Sequence, residues 1–293
     1  MENKKERSII FDLPRLLLKS PSGMLGFIIV VFVLLISIFA DVLIPCNPEA
    51  IDLYSMGNPP VWSAGGSAAH LFGTDILGRD VFSRILVGSR VSLLVGIFSV
   101  VVAGFIGTVM GLLAGYFGGW VDSVIMRTTD AFHSIPLTLF AMVILTIMRP
   151  GVLTLVFVIG FTCWPFYARM VRSEVLGIKV KEYVKAARTI GTSGFKIMIK
   201  HILPNVLPTF IVVSTLQVAS SILIEASLSF LGLGIQPPKV SWGVLLSDGR
   251  NYLATHWWMA TFPGIAISLT VLGIMLMGNW LRDVLDPKNQ GLR

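Results

Sequence analysis

Apolar residues in this chain come in long unbroken runs, with neither the alternation of a half-buried strand nor the sparse stripe of a soluble amphipathic helix. A helix rises about 1.5 Å per residue and the hydrocarbon layer is about 30 Å thick, so about 20 apolar residues cross it. Six stretches reach or approach that length: Gly23–Ile44, Val91–Gly115, Val121–Met148, Val152–Val171, Leu207–Leu231 and Ala260–Leu281. The third is the least clean, because Arg127, Asp130 and His133 occupy its first half before the apolar run Ile135–Met148. The pattern predicts an all-α polytopic membrane protein with six transmembrane helices.

The polar intervals set the topology. Lys4, Lys5, Arg7, Arg15 and Lys19 precede the first span, a dense group lies between Arg169 and Lys200, and Arg282, Lys288 and Arg293 follow the last. With the N-terminus inside, only Arg79, Arg84, Arg90, Arg149, Lys239 and Arg250 of the 23 basic residues fall outside, and retained inner loops favour Lys and Arg. The expected division is a cytoplasmic segment 1–22, an anchor helix 23–44, an external loop 45–90, a five-helix core 91–281 with an interior loop 172–206, and a cytoplasmic tail 282–293. The external loop, with Pro59-Pro60-Val61-Trp62, reads as a turn-rich excursion. Trp242, Trp257 and Trp258 in the second outer segment suit a membrane interface.

Composition agrees with this picture. Hydrophobic residues make up 54% of the 293 positions and charged ones 13%, which makes the bilayer the expected solvent. The net charge of +7 is accounted for by the inner basic residues, so nucleic acid is not an expected partner. Cys46 and Cys163 are too few for a disulfide framework and read as packing residues. The first apolar run is too long for a signal-peptide core and reads as a retained anchor.

The interior stretch Glu182–Pro204 is the most informative polar segment. Tyr183, Val184, Ala187, Ile190 and Gly191 share one helical face, and Lys181, Lys185 and Arg188 line the opposite one. Ala186, Ala187 and Gly191 have little side chain and would let a partner approach the backbone. Thr192-Ser193-Gly194 breaks the helix, and Phe195, Met198, Ile199 and Ile202 begin a second amphipathic stretch ending at Pro204. Two readings of this bracket stand together: a protein-docking element, or an interfacial helix whose lysines touch anionic lipid head groups.

Within the spans, Asp130 pairs most simply with Arg127 one turn earlier, and Glu225, toward the outer end of the fifth span, reaches interfacial water or a neighbouring subunit. Both are also candidates for lining a solute path. Gly104, Gly107, Gly111 and Gly115 form a small-residue stripe suited to close helix packing, a seam more than a groove. No phosphate-binding loop, metalloprotease helix, paired-cysteine motif or nucleophile elbow occurs, and the four histidines are scattered, so no catalytic site is expected.

Ala186-Ala187-x-x-x-Gly191 followed by Leu203-Pro204 resembles the EAA loop of ABC importer permeases, the segment that seats in a cleft of the ATPase subunit. Lys185 stands where that motif has glutamate and His201 where it has isoleucine. Glu182-Tyr183 and His201-Ile202-Leu203-Pro204-Asn205 look like the variant in the dipeptide, oligopeptide and nickel branch. Phe72-Gly73-Thr74-Asp75 with Gly78-Arg79-Asp80-Val81-Phe82-Ser83-Arg84 is similar to the C-type, or second, permease of that branch, as is Ser229-Phe230-Leu231-Gly232-Leu233-Gly234 with Gln236-Pro237-Pro238 and Ser241-Trp242-Gly243.

The resemblance implies the type I importer (MetI-like) fold, in a bacterial or archaeal plasma (inner) membrane with both termini cytoplasmic. It implies a second related permease, two cytoplasmic ATPase subunits that bind ATP and Mg, and an external solute-binding protein. This chain itself would bind no cofactor and no metal. Glu182, Tyr183, Ala186, Ala187, Arg188, Gly191, His201, Leu203 and Pro204 become the expected coupling residues, with Pro204 and Pro208 locking the corner into the fifth span. The substrate expected is a di- or oligopeptide, with nickel or another metal chelate as the alternative. An ion-coupled carrier or channel using Asp130 and Glu225 is the rival class, although no clear inverted repeat is present. A membrane scaffold without transport is a third.

Overall fold

The computed structural model describes residues 14–285. Most of the expected N-terminal segment 1–22 and most of the tail 282–293 lie outside the described residues. The main helices are α1 (Pro21–Leu43), α2 (Val81–Phe117), α3 (Gly119–His133), α4 (Leu137–Ile147), α5 (Val152–Ile178), α6 (Glu182–Thr189), α7 (Gly194–Phe230), α8 (Trp242–Gly249) and α9 (Trp258–Leu285). The only pairing of β type among the described residues is an isolated bridge between Thr74 and Asp80. Five helices are long and apolar enough to cross a membrane, six if α3 and α4 count as one bent span.

The glycine stripe is a packing seam, as its spacing suggests. α2 and α5 make the most extensive helix contact in the molecule. A Cβ at Gly107 would stand 2.3 Å from Tyr167 Cβ, and one at Gly111 or Gly115 would stand 2.7 Å from the Cβ of Val171 or Val175. Gly160 of α5 answers from the other side, facing Val102. Small residues let the two backbones approach closely, and dispersion contact replaces the hydrophobic drive that lipid does not supply. The same device holds α1, whose Gly26 abuts the α9 backbone at Met277 while Gly273 receives Ile29. The remaining faces of α1 expose Leu25, Ile28, Phe32, Leu35 and Phe39, as a lipid-facing anchor should.

Four boundaries differ from the sequence reading. The external excursion ends at Asp80, not Arg90, because the Asp80 side chain accepts a hydrogen bond from Ser83 N at 2.7 Å and caps α2 ten residues earlier than hydropathy alone indicates. Arg84 and Arg90, which mask this start, are neutralised by Asp75 at 2.6 Å and Asp41 at 3.1 Å. The third span is two helices meeting at 86° across residues 134–136, since Pro136 removes a donor and drives Ile135 out of the helical region. The fourth span continues past Val171 to Ile178.

The fourth difference concerns the bracket. No corner separates its second arm from the fifth span: one helix runs from Gly194 to Phe230, passing through a π turn at Met198–Ile202 just before Pro204. A widened turn there accommodates a proline that cannot donate to the ladder. The tryptophans also depart from expectation. Trp242 and Trp258 are buried and donate to Ile85 O at 3.0 Å and Thr74 O at 2.9 Å, while Trp257 stays exposed. Residues 45–80 are otherwise turn-rich, as read, with a single 3₁₀ turn at Leu53–Ser55.

Candidate functional site

The bracket is built at the end of the molecule where α2 finishes and α5 runs out into α6. Glu182 in the first turn of α6 and Arg188 in the last complement its dipole. Gly191 then ends the helix at φ +79°, a conformation costly for any side chain, and Thr192 N closes the turn onto Ala187 O at 3.1 Å. The inward face of α6, Val184 and Ala187, packs with Leu112, Val171, Val175, Ile178, Ile197, Met198, Ile202 and Val206 in one apolar cluster. The two arms are therefore a single module welded to the ends of α2 and α5. Gly194 touches the Tyr116 ring, over which the Arg188 guanidinium sits at 5.9 Å.

The outward face is different. Ile190 is 82% exposed and Phe195 72%, with Tyr183 and Ile199 also at the surface. Lys181, Lys185, Ala186, Gly191, Lys196 and Lys200 surround them, all exposed. Glu182 pairs with Lys185 at 3.2 Å in solvent, and the His201 ring lies 6.4 Å from Tyr183. Leu203 is half-buried and Pro204 exposed at the start of the span. Ala187, expected to be open to a partner, is 7% exposed and faces its own chain. Of the three small residues, Ala186 and Gly191 alone are open to a partner.

The two intramembrane acids also resolve differently from expectation. Asp130 pairs with Arg169 of α5 at 2.5 Å, not with Arg127, and both side chains are substantially exposed. A second bridge, Asp122 to Arg172, joins the same two helices two turns away. Glu225 does not reach the surface. It is fully buried and accepts hydrogen bonds from Ser229 at 2.7 Å, Ser241 at 2.8 Å and Ser92 at 3.2 Å. This cluster ties α7 to α2 and to the start of α8, satisfying a carboxyl group that would otherwise be costly at that depth.

Sequence reasoning missed a second polar hub. Asp75 accepts from Leu77 N at 2.8 Å, Arg79 N at 3.0 Å, Arg79 Nε at 2.7 Å and Arg84 Nη1 at 2.6 Å, and Arg84 also reaches Asp248 of α8 at 3.4 Å. Gly78 is held at φ +74° with its Cα against Asp52 O, leaving no room for a side chain. The G-T-D and G-R-D spacing of residues 73–80 was the available signal. Its residues knit the loop to α2 and α8.

An all-helical membrane-spanning chain whose polar clusters are structural, and which offers a preformed apolar bracket at one end, is a component of a membrane assembly. Residues 107–291 match the family described as binding-protein-dependent transport system inner membrane component, and residues 13–60 match the N-terminal TM domain of oligopeptide transport permease C. Three relatives are similar over most of their length. A probable D,D-dipeptide transport system permease of Escherichia coli (strain K12) is 43% identical over 93% of this chain and 89% of its own. A dipeptide transport system permease of the same strain is 44% identical over 92% and 90%, and a glutathione transport system permease of Pectobacterium atrosepticum is 42% identical over 88% and 84%. The chain belongs to the family of binding-protein-dependent transport system inner membrane components, and it is a permease subunit of an importer of the ABC class.

Proposed function

We propose that this permease carries di- or oligopeptides, forms one half of the translocation path with a second related permease, and takes its driving force from two cytoplasmic ATPase subunits seated on the Glu182–Pro204 bracket. ATP and Mg are handled by those subunits, and an external solute-binding protein delivers the peptide. The bracket and both termini face the cytoplasm, in a bacterial or archaeal inner membrane. The substrates named for the relatives, dipeptides, D,D-dipeptides and glutathione, support a peptide over a nickel chelate.

The observation that carries the docking role is the contrast between the two sides of the bracket. One is sealed in the chain's own core, and the other leaves Ile190 and Phe195 uncovered among lysines with two residues of minimal bulk. A surface of that kind buries an aliphatic and an aromatic anchor when a partner closes over it, the arrangement typical of binding hot spots. Nucleotide-driven closure of the ATPases would then move a rigid body, because α6, α7 and the ends of α2 and α5 share one apolar cluster.

The test is Ile190→Glu with Phe195→Glu, which leaves the sealed face alone. Thermal stability of the purified permease pair should stay within about 0.5 kcal/mol, as for other surface changes. ATPase co-purification and peptide uptake should both be lost. Unchanged assembly and uptake would remove the proposal. Replacing Gly191 is a poorer probe, since any side chain at φ +79° strains the turn whether or not a partner docks. A cysteine placed at Ala186 should crosslink to the ATPase subunit; labelling from lipid probes alone would favour the interfacial-helix reading.

A further inference from the structure

At the end of the molecule opposite the bracket, three side chains from three separate segments converge. Cys46 follows the end of α1, His70 lies in the turn-rich loop, and Asp80 caps α2. One potential ligand atom from each, sulfur, ring nitrogen and carboxylate oxygen, lies within 4.8 Å of the other two. Further hydrogen bonds hold the cluster: Cys46 N donates to Ser83 Oγ at 3.3 Å, Ser83 N donates to the second carboxylate oxygen of Asp80, Oδ2, at 2.7 Å, and Cys46 Sγ donates to Ala69 O at 3.7 Å. His70 Nδ1 stands 3.0 Å from Asp80 Oδ1.

We propose that Cys46, His70 and Asp80 form a binding site for a thiophilic divalent cation of the zinc type. Nitrogen and oxygen ligands at about 2.0 Å from a tetrahedral metal are about 3.3 Å apart, close to the 3.0 Å between His70 and Asp80, and the sulfur needs to close by at most about 1.3 Å. One sulfur, one nitrogen and one oxygen make a donor set of intermediate softness, which suits zinc and excludes magnesium or calcium. Three protein ligands leave a fourth position for water.

The electrostatics favour a cation there. The Asp80 side chain is fully buried, and its only ionisable hydrogen-bond partner among the described residues is His70, because the neighbouring Arg79 and Arg84 turn to Asp75 and Asp248. Burial, and then the Asp80 charge, push the Cys46 thiol up. A metal at the centre reverses both influences, and on binding the thiol proton passes to solvent. Bound metal would clasp the end of the anchor helix to the first turn of α2 across the loop.

The experiment uses the purified complex in detergent, with Zn²⁺ and Co²⁺ as probes. Zn²⁺ should slow maleimide labelling of Cys46, and Co²⁺ should give a sulfur-to-cobalt charge-transfer band. Cys46→Ala should abolish the band and lower Zn²⁺ affinity by at least about tenfold, and His70→Gln should lower the affinity comparably while leaving the thiol in place. Cys163→Ala should change neither, since that thiol is buried elsewhere. Cys46→Ala spares the Asp80 cap and the His70–Asp80 contact, so a melting curve close to the parent's is expected. Labelling of the parent protein that Zn²⁺ does not slow, or equal Zn²⁺ binding by parent and Cys46→Ala, would overturn the proposal.

Discussion

Around Asp75, four donors converge on one carboxylate and Arg84 is buried against it, and nearby the carboxyl group of Glu225 is enclosed by three serines. Around α6, at the far end of α2, Ile190 and Phe195 stand in the open and the one ion pair of that helix, Glu182 with Lys185, is solvated. At the loop end the buried charges are satisfied within the chain, while Leu53, Tyr54 and Trp62 stand at its surface. The bracket end is satisfied on one face only. What differs is the glue: buried charge holds the loop end together, and an apolar cluster holds the bracket.

The largest effect should come from breaking the satisfied end. Asp75→Ala strips Arg84 of its closest counter-charge and leaves two backbone donors unpaired, which should cost about 3–5 kcal/mol and show as a sharply lower melting temperature or failure to accumulate. If the protein melts normally, the network is ornamental and the contrast between the ends is lost. An intermediate effect is expected at the seam. Gly107→Ala puts a methyl group 2.6 Å from Trp164 O and should cost about 1–3 kcal/mol. Gly177→Ala, where nothing lies within 4 Å, should raise stability by about 0.5–1 kcal/mol, and the pair measured together separates close packing from backbone entropy. The smallest effect belongs to the exposed Asp130–Arg169 bridge: Asp130→Asn should change stability by at most about 1 kcal/mol and leave uptake in place, whereas loss of uptake without loss of stability would revive an ion-coupled path.

Most of the spans were legible because lipid demands long apolar runs, and the glycine stripe was legible because its spacing is that of a helix face. Their ends were not. Arg84 and Arg90 count against a helix in any hydropathy reading, and only the long-range partners Asp75, Asp248 and Asp41 show that the charges are already offset. Asp130 illustrates the same blindness: Arg127 is the nearest basic residue along the helix, but Arg169 is nearer in space. In the bracket, periodicity placed Val184 and Ala187 on one face with Ile190 and Gly191, yet the helix stops at Thr189 and the turn at Gly191 carries Ile190 outward. A helical wheel cannot register a turn that ends the wheel.

The uninterrupted course of α7 has a mechanical consequence. Its 37 residues span about 55 Å, nearly twice the hydrocarbon thickness. The far end is held by the serines around Glu225, so under the proposed coupling the helix would act as an arm pivoting beside that carboxyl group. The arm from Glu225 to Gly194 is about 46 Å long, so a swing of about 10° would carry its tip, with the ends of α2 and α5 packed on it, by about 8 Å and the pivot hardly at all. Travel would be greatest at the bracket and least beside Glu225, so under the proposed coupling any opening at that end would fall to other helices.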